Sequence, residues 1–280
     1  MELHMITPDL QIQYRDYLER DEKSSHTVEK YQRDLKKFVL YLGGQNVTKD
    51  LVIGFKENLV KTYAVNSVNS ILASLNSFFQ FTGWQELKVK QLKKQHQVYC
   101  PEEKELTKKE YFELIKSAKE EGKEKIGLII QTIGSTGIRI SELSSITVQA
   151  VKNGLAQVDC KGKNRQVLLP RKLVIKLSHY IRKERLRTGP VFVTKSGNPL
   201  NRSNIWREMK RVCHLAGVNA KKVFPHNLRH LFATSFYKME KDIAKLADLL
   251  GHSNINTTRI YIISSGIEHR KQIERMNLLL

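Results

Sequence analysis

The sequence predicts a mainly α-helical protein with a small antiparallel β-sheet, divided into two domains. Three observations carry this expectation. Apolar side chains recur at three-and-four spacing over most of the chain. That period gives way near residues 155–169 to short runs flanking a Lys-Gly-Lys-Asn turn. The 280 residues also exceed the roughly 100–200 of one typical domain. Forty per cent hydrophobic residues with only 15 Gly and 6 Pro describe a globular chain and exclude disordered and collagen-like classes.

The first domain is expected over residues 1–85 as four short helices. One lies around 8–19. A second over 24–42 aligns Val28, Tyr31, Leu35, Phe38 and Leu42 behind Ser24 or Ser25 as N-cap. A third opens at Thr48 and carries Leu51, Val52, Phe55 and Leu59; a fourth opens near Ser67 with Val68, Ile71, Leu72, Leu75, Phe78 and Phe79 on one stripe. The aromatics of this bundle read as core. Residues 86–104 lose the period, are rich in Lys and Gln, and reach Pro101, which marks them as a linker.

The second domain, 105–280, opens on a capping box, Thr107 to Glu110, ahead of a helix carrying Tyr111, Leu114 and Ile115. Another helix runs through Ile126, Ile129, Ile130 and Ile133. Strands are expected at 155–159 and 166–169, then a helix with Leu173, Leu177, Tyr180 and Ile181, and a short strand at Val191-Phe192-Val193. Helices follow at roughly 202–216, 226–238, 241–250, 256–262 and 266–278, with Gly251 as a C-cap.

Charge separates the halves. The net charge is +20, yet residues 1–145 hold 22 basic against 20 acidic side chains and residues 146–280 hold 26 against 8. Such one-sided charge is the footprint of a polyanion binder, usually DNA or RNA. No apolar run approaches the roughly 18 residues of a membrane span, and the N-terminus lacks a signal-peptide layout. Cys100, Cys160 and Cys213 are odd in number and lack C-x-x-C spacing, which argues against a disulfide framework or a structural zinc and fits a cytoplasmic protein.

Four places offer chemistry. Arg139 follows a glycine turn within TGIRISEL (136–143), Lys161 sits at the hairpin tip, HNLRH (226–230) puts His226, Arg229 and His230 on one helix face, and LGH (250–252) precedes Tyr261 by nine residues. Taken singly, each has a plain explanation: Arg139 pairing with Glu142, Lys161 solvated, the two histidines a metal pair. The last fails the zinc-protease pattern because position 227 is Asn. No GxxxxGK[ST] loop is present, so nucleotide hydrolysis has no support.

Together, order and spacing resemble the tyrosine recombinase (phage integrase, Xer-like) family. TGIRISEL is similar to its first arginine box, HNLRH to its HxxR box, LGHSNINTTRIY (250–261) to the segment carrying its nucleophile, and LTKKEY (106–111) to the opening of its catalytic domain. The resemblance implies a four-helix, SAM-like core-binding domain followed by the catalytic domain, with no additional arm-binding domain ahead of it. It implies a site-specific DNA recombinase that cleaves and rejoins strands through a 3′-phosphotyrosyl intermediate.

The same resemblance assigns roles. Tyr261 matches the nucleophile, a phenol whose ordinary pKa of about 10 demands electrostatic help. Arg139 and Arg229 match the phosphate clamp, where a planar fork suits two oxygens. His226 and His252 match groups that bond the phosphoryl oxygens or assist proton transfer. Lys161, in a hairpin that departs from the usual Gly-Lys-Gly, matches the general acid, with Lys163 as the alternative. Glu142 and His230 are expected to support the site. No metal and no cofactor are implied, because protein cations supply the charge. The expected partner is a double-stranded recombination site held by a homotetramer on two duplexes through a Holliday junction, with a partner recombinase or accessory protein possible. The C-terminal helix is open between cis packing and trans docking. A type IB-like topoisomerase and a non-catalytic DNA-binding regulator are the rival functions.

Overall fold

The computed structural model describes residues 4–93, 105–160, 163–194, 196–259, 261 and 274–276. The chain forms two compact units, residues 1–96 and 97–280.

In the first unit, four helices, α1 (Pro8–Arg20), α2 (Ser25–Leu42), α3 (Lys49–Thr62) and α4 (Val65–Phe81), enclose one core. Thr7, Ser24 and Thr48 cap the first three, each side-chain oxygen accepting a backbone N–H three residues on. Tyr14, Leu18, Leu35, Phe38, Leu72, Leu75, Phe78 and Phe79 are buried, so the aromatic residues of the expected stripes are core. A buried carboxylate, Asp34, is neutralised at 2.8 Å by Lys30 and accepts Ser74 Oγ at 2.9 Å.

Residues 85–93, where the sequence places the start of a linker, pack on this unit. Asn69 and Asn76 lie two turns apart on α4. Each uses its carboxamide as a peptide mimic, Asn76 exchanging both hydrogen bonds with Val89 and Asn69 both with Leu92 at 2.8–3.0 Å. Leu87 and Val89 complete the core.

The second unit is helical around one small sheet. Helix α5 (Lys108–Glu120) begins at the expected capping box. Helix α6 (Glu124–Thr136) is buried nearly all round and packs against α5 and the later helices α8 (Arg171–Lys183), α9 (Arg202–Leu215) and α10 (Pro225–Glu240). A short 3₁₀ turn over Ile140–Ser145 and a six-residue helix α7 (Val148–Asn153) lead into the sheet. Strands β1 (Leu155–Cys160) and β2 (Lys163–Leu168) pair antiparallel from Leu155 with Leu168 to Cys160 with Lys163. The second strand therefore starts three residues earlier than expected, with Lys163 and Asn164 in the ladder instead of the turn.

The strand expected at 191–193 does not form. Only single bridges, Thr147 with Pro190 and Val193 with Pro199, occur there, because prolines lack the N–H needed to extend a ladder. Val191 and Phe192 are buried in the core instead. Helices α11 (Ile243–Leu250) and α12 (Ile255–Arg259) close the described part; Lys241 ends α10 in the left-handed conformation and Asp242 caps α11. The helix expected at 266–278 lies outside the described residues except at 274–276. Among the described residues, no helix is long and apolar enough to cross a membrane.

Candidate active site

The site assembles around the C-terminal end of α11. A helix ends with backbone carbonyls that lack intrahelical donors and carry partial negative charge. Here three successive carbonyls each accept from a different arginine: Leu249 from Arg165 Nη1 at 2.8 Å, Leu250 from Arg229 Nη2 at 2.7 Å, and Gly251 from Arg139 Nη2 at 3.4 Å. Gly251 caps the helix at φ +63°, and a Cβ there would stand 2.3 Å from Arg165 Cδ, so two constraints call for glycine.

Arg229, on the buried face of α10, also ties in a second helix end. Its Nη1 donates to Gly137 O at 2.5 Å, the left-handed cap of α6, and its Nη2 meets His252 Nε2 at 2.9 Å. Burial and the nearby Arg139 charge push its pKa down to about 10, partly opposed by the nearby Tyr261; the guanidinium stays charged at neutral pH.

Glu142 balances the other two cations. Its carboxylate is buried and accepts Arg139 Nη1 at 2.7 Å, Arg165 Nη2 at 2.5 Å and the backbone N–H of Arg139 at 2.9 Å. Burial alone would raise its pKa, but these hydrogen bonds and the two positive charges outweigh it and hold the carboxyl below its ordinary value.

Tyr261 is 4 % exposed. Its backbone N–H donates to Thr258 O at 3.0 Å, and three imidazoles surround its ring. His230 lies at 5.3 Å, His226 at 5.6 Å and His252 at 5.7 Å between centroids, the last within 14° of parallel. Burial, then the His226 charge, lowers His230 to about 4; burial and the charges of Arg229, Arg139 and Arg165 lower His252 to about 4. His226 is the exposed member, yet crowding of its ring and Arg229 also lower its pKa.

These shifts set a stability window. Between about pH 6.5 and 4 the unfolded chain binds protons at His230 and His252 that the folded chain refuses, so stability falls as pH drops through that range. The expected loss is on the order of 2–5 kcal/mol for the pair. Glu142, with its depressed pKa, loses its contribution only at lower pH. Thermal melts from pH 7.5 to 4.5 measure this; a flat melting temperature down to pH 5 contradicts neutral, buried imidazoles.

Seven residues expected at the site, Arg139, Glu142, His226, Arg229, His230, His252 and Tyr261, thus fall in one cluster. Lys161 lies outside the described residues, and Lys163 is placed by its backbone alone. Two participants went unassigned in the sequence. Arg165 and Val167 share one face of β2, and Arg165 pairs across the ladder with the buried Val158, so an arginine beside inward-facing valines was a legible anomaly. Thr258, whose Oγ1 lies 2.9 Å from His252 Nδ1, gives no spacing signal of its own.

A helical bundle followed by a mostly helical unit with an arginine cluster and a buried tyrosine is the layout of a class of DNA strand-transfer enzymes, and comparison with known proteins places the chain in it. The phage integrase family model matches residues 104–266, and the phage integrase N-terminal SAM-like domain matches residues 12–86. The chain belongs to the phage integrase family, the tyrosine recombinases, and its activity is site-specific cleavage and rejoining of DNA strands. It is 30 % identical over 274 residues to tyrosine recombinase XerA of Pyrococcus furiosus, covering 95 % of this chain and 93 % of that one. It is 27 % identical over 271 residues to XerD of Halalkalibacterium halodurans, covering 85 % and 87 %. Among solved structures, the Tn1549 transposon integrase in complex with transposon right end DNA aligns with a TM-score of 0.74 at 17 % identity, over 96 % of this chain and 99 % of that one. The fold is shared.

Proposed function

We propose that Tyr261 is the nucleophile of strand cleavage. Its phenolic oxygen attacks the phosphorus of a DNA phosphodiester, the bond to the 5′-oxygen breaks, and the 3′-phosphate becomes a tyrosyl ester. The phenolic proton passes to a neutral imidazole, His226 being the exposed one, with His230 also against the ring. The leaving 5′-oxygen takes its proton from Lys161, or from Lys163, on the hairpin. Arg139 and Arg229 hold the non-bridging oxygens and His252 bonds one of them, while Glu142 holds Arg139 in place. Because the ester keeps the phosphodiester energy, a second 5′-hydroxyl reverses the step and rejoins the strand without ATP. The observation that carries this reading is the burial of the Tyr261 ring among three imidazoles, one of which, His252, is itself bonded to the Arg229 guanidinium.

The surplus of 26 basic over 8 acidic side chains in residues 146–280 suits a phosphate-directed grip that weakens steeply with salt. The working assembly is a homotetramer on two duplexes in the cytoplasm, an architecture supported by the solved lambda integrase tetramer bound to a Holliday junction, which aligns at a TM-score of 0.73. Integration, excision, inversion and resolution share this chemistry and differ in how the two sites are arranged.

The test mixes the full chain with radiolabelled, nicked duplexes tiled from the DNA flanking its own gene, in EDTA, on denaturing gels. A slow-migrating adduct is expected, and mass spectrometry of its peptides should place the nucleotide on Tyr261. An adduct on another residue removes the assignment. Sequence-specific shifts on native gels with no adduct favour the regulator.

A further inference from the structure

The contacts of His252 reveal where its proton sits. A guanidinium has only donors, so the 2.9 Å contact from Arg229 Nη2 makes His252 Nε2 an acceptor. The single ring proton of the neutral imidazole is then on Nδ1, donated to Thr258 Oγ1 at 2.9 Å. In that state His252 cannot donate through Nε2, the nitrogen that faces the arginine cluster. A phosphate oxygen arriving there would meet a lone pair.

Thr258 is fully buried, and its two ends hold two different parts of the site. The hydroxyl meets His252, and the backbone carbonyl accepts the N–H of Tyr261 at 3.0 Å. The charged and titratable groups bearing on His252 are Arg229, Arg139, Arg165 and His226, with the Tyr261 ring stacked alongside. Those cations disfavour a doubly protonated ring, and a change of tautomer makes the imidazole a donor without adding charge.

We propose that Thr258 is a positioning residue that fixes the tautomer of His252 in the free protein and allows it to reverse when a phosphate enters. This rests on the reading of Tyr261 and its neighbours as a phosphoryl-transfer site. A hydroxyl both accepts and donates. Without phosphate, Oγ1 accepts from Nδ1–H while Nε2 accepts from Arg229. When a phosphate oxygen takes over the Arg229 Nη2 donor, Nδ1 gives its proton to solvent and Nε2 takes one from solvent. The threonine hydroxyl rotates and donates to the bare Nδ1, and Nε2–H donates to the phosphate. The ring carries one proton before and after.

Valine has the shape of threonine but neither accepts nor donates, whereas serine does both. The test uses the full chain with ¹⁵N-labelled histidine, long-range ¹H–¹⁵N spectra and saturating inorganic phosphate as the probe, the His252 signals being assigned by their loss in His252→Asn. The parent and Thr258→Ser are expected to show Nδ1–H alone and Nε2–H with phosphate; Thr258→Val should show a mixture of tautomers without phosphate. Single-turnover adduct formation should fall at least about tenfold in Thr258→Val at unchanged DNA affinity, and Thr258→Ser should recover it to within about threefold. Nε2–H in the free parent, no reversal at saturating phosphate, or a valine variant with the parent's tautomer and cleavage rate each overturns the proposal. A parent that forms no adduct on any duplex instead overturns the nucleophile assignment, and the spectra then decide the tautomer on their own.

Discussion

Tyr261→Phe is expected to bind DNA like the parent and to form no covalent adduct. The substitution removes one oxygen from a ring that is 4 % exposed and packed against three imidazoles, so the packing survives. With the proposed nucleophile gone, the adduct rate should drop by at least about 10⁴-fold. Native gel shifts set against denaturing gels on the same nicked duplex separate the two effects. Any persistent adduct in this variant removes Tyr261 from the role.

The second large effect belongs to Arg229→Lys. The charge is kept, but one ammonium on a flexible stem replaces a planar fork that reaches Gly137 O, Leu250 O and His252 Nε2 together. At least one buried helix-end carbonyl loses its donor, so stability should fall by about 2–4 kcal/mol. Loss of one of the donors proposed to meet the phosphate should lower the adduct rate a further 10²–10³-fold, roughly the effect of deleting one oxyanion-hole contact. Denaturant melts and single-turnover cleavage at a temperature where the variant remains folded measure the two losses separately. A variant as stable as the parent would mean that Arg229 does not hold the two helix ends.

The bundle was legible because its helices are long and one-sided: the stripes from Val28 to Leu42 and from Val68 to Phe79 are the residues found buried, with Tyr31 half-buried against the same core. Caps at Ser24, Thr48 and Thr107 could be read because a side-chain acceptor at the helix start is a local feature. Helix α7 was not legible, since its six residues span fewer than two turns and offer no repeat. Val191-Phe192-Val193 has strand chemistry but sits between prolines, and tertiary burial satisfied it without a ladder. The docking of residues 85–93 depends on two asparagines in α4 meeting backbone at Val89 and Leu92, a relation between segments that composition does not carry. In the site, motif order gathered the arginines, histidines and tyrosine. The contacts of Arg165 with Glu142 and Leu249, and of Thr258 with His252, join positions that only the folded chain brings together.

The end of α11 concentrates many tasks in little chain. Residues 249–261 supply the three carbonyls that hold Arg165, Arg229 and Arg139, the imidazole of His252, the hydroxyl that orients it, and Tyr261 itself. Parts fastened to one short segment move as a set. A shift of that segment displaces the histidine, the phenol and the carbonyls that the three arginines hold at once. Substitutions that perturb its backbone should silence cleavage outright, and variants with graded activity should come from residues that reach the cluster by side chain alone.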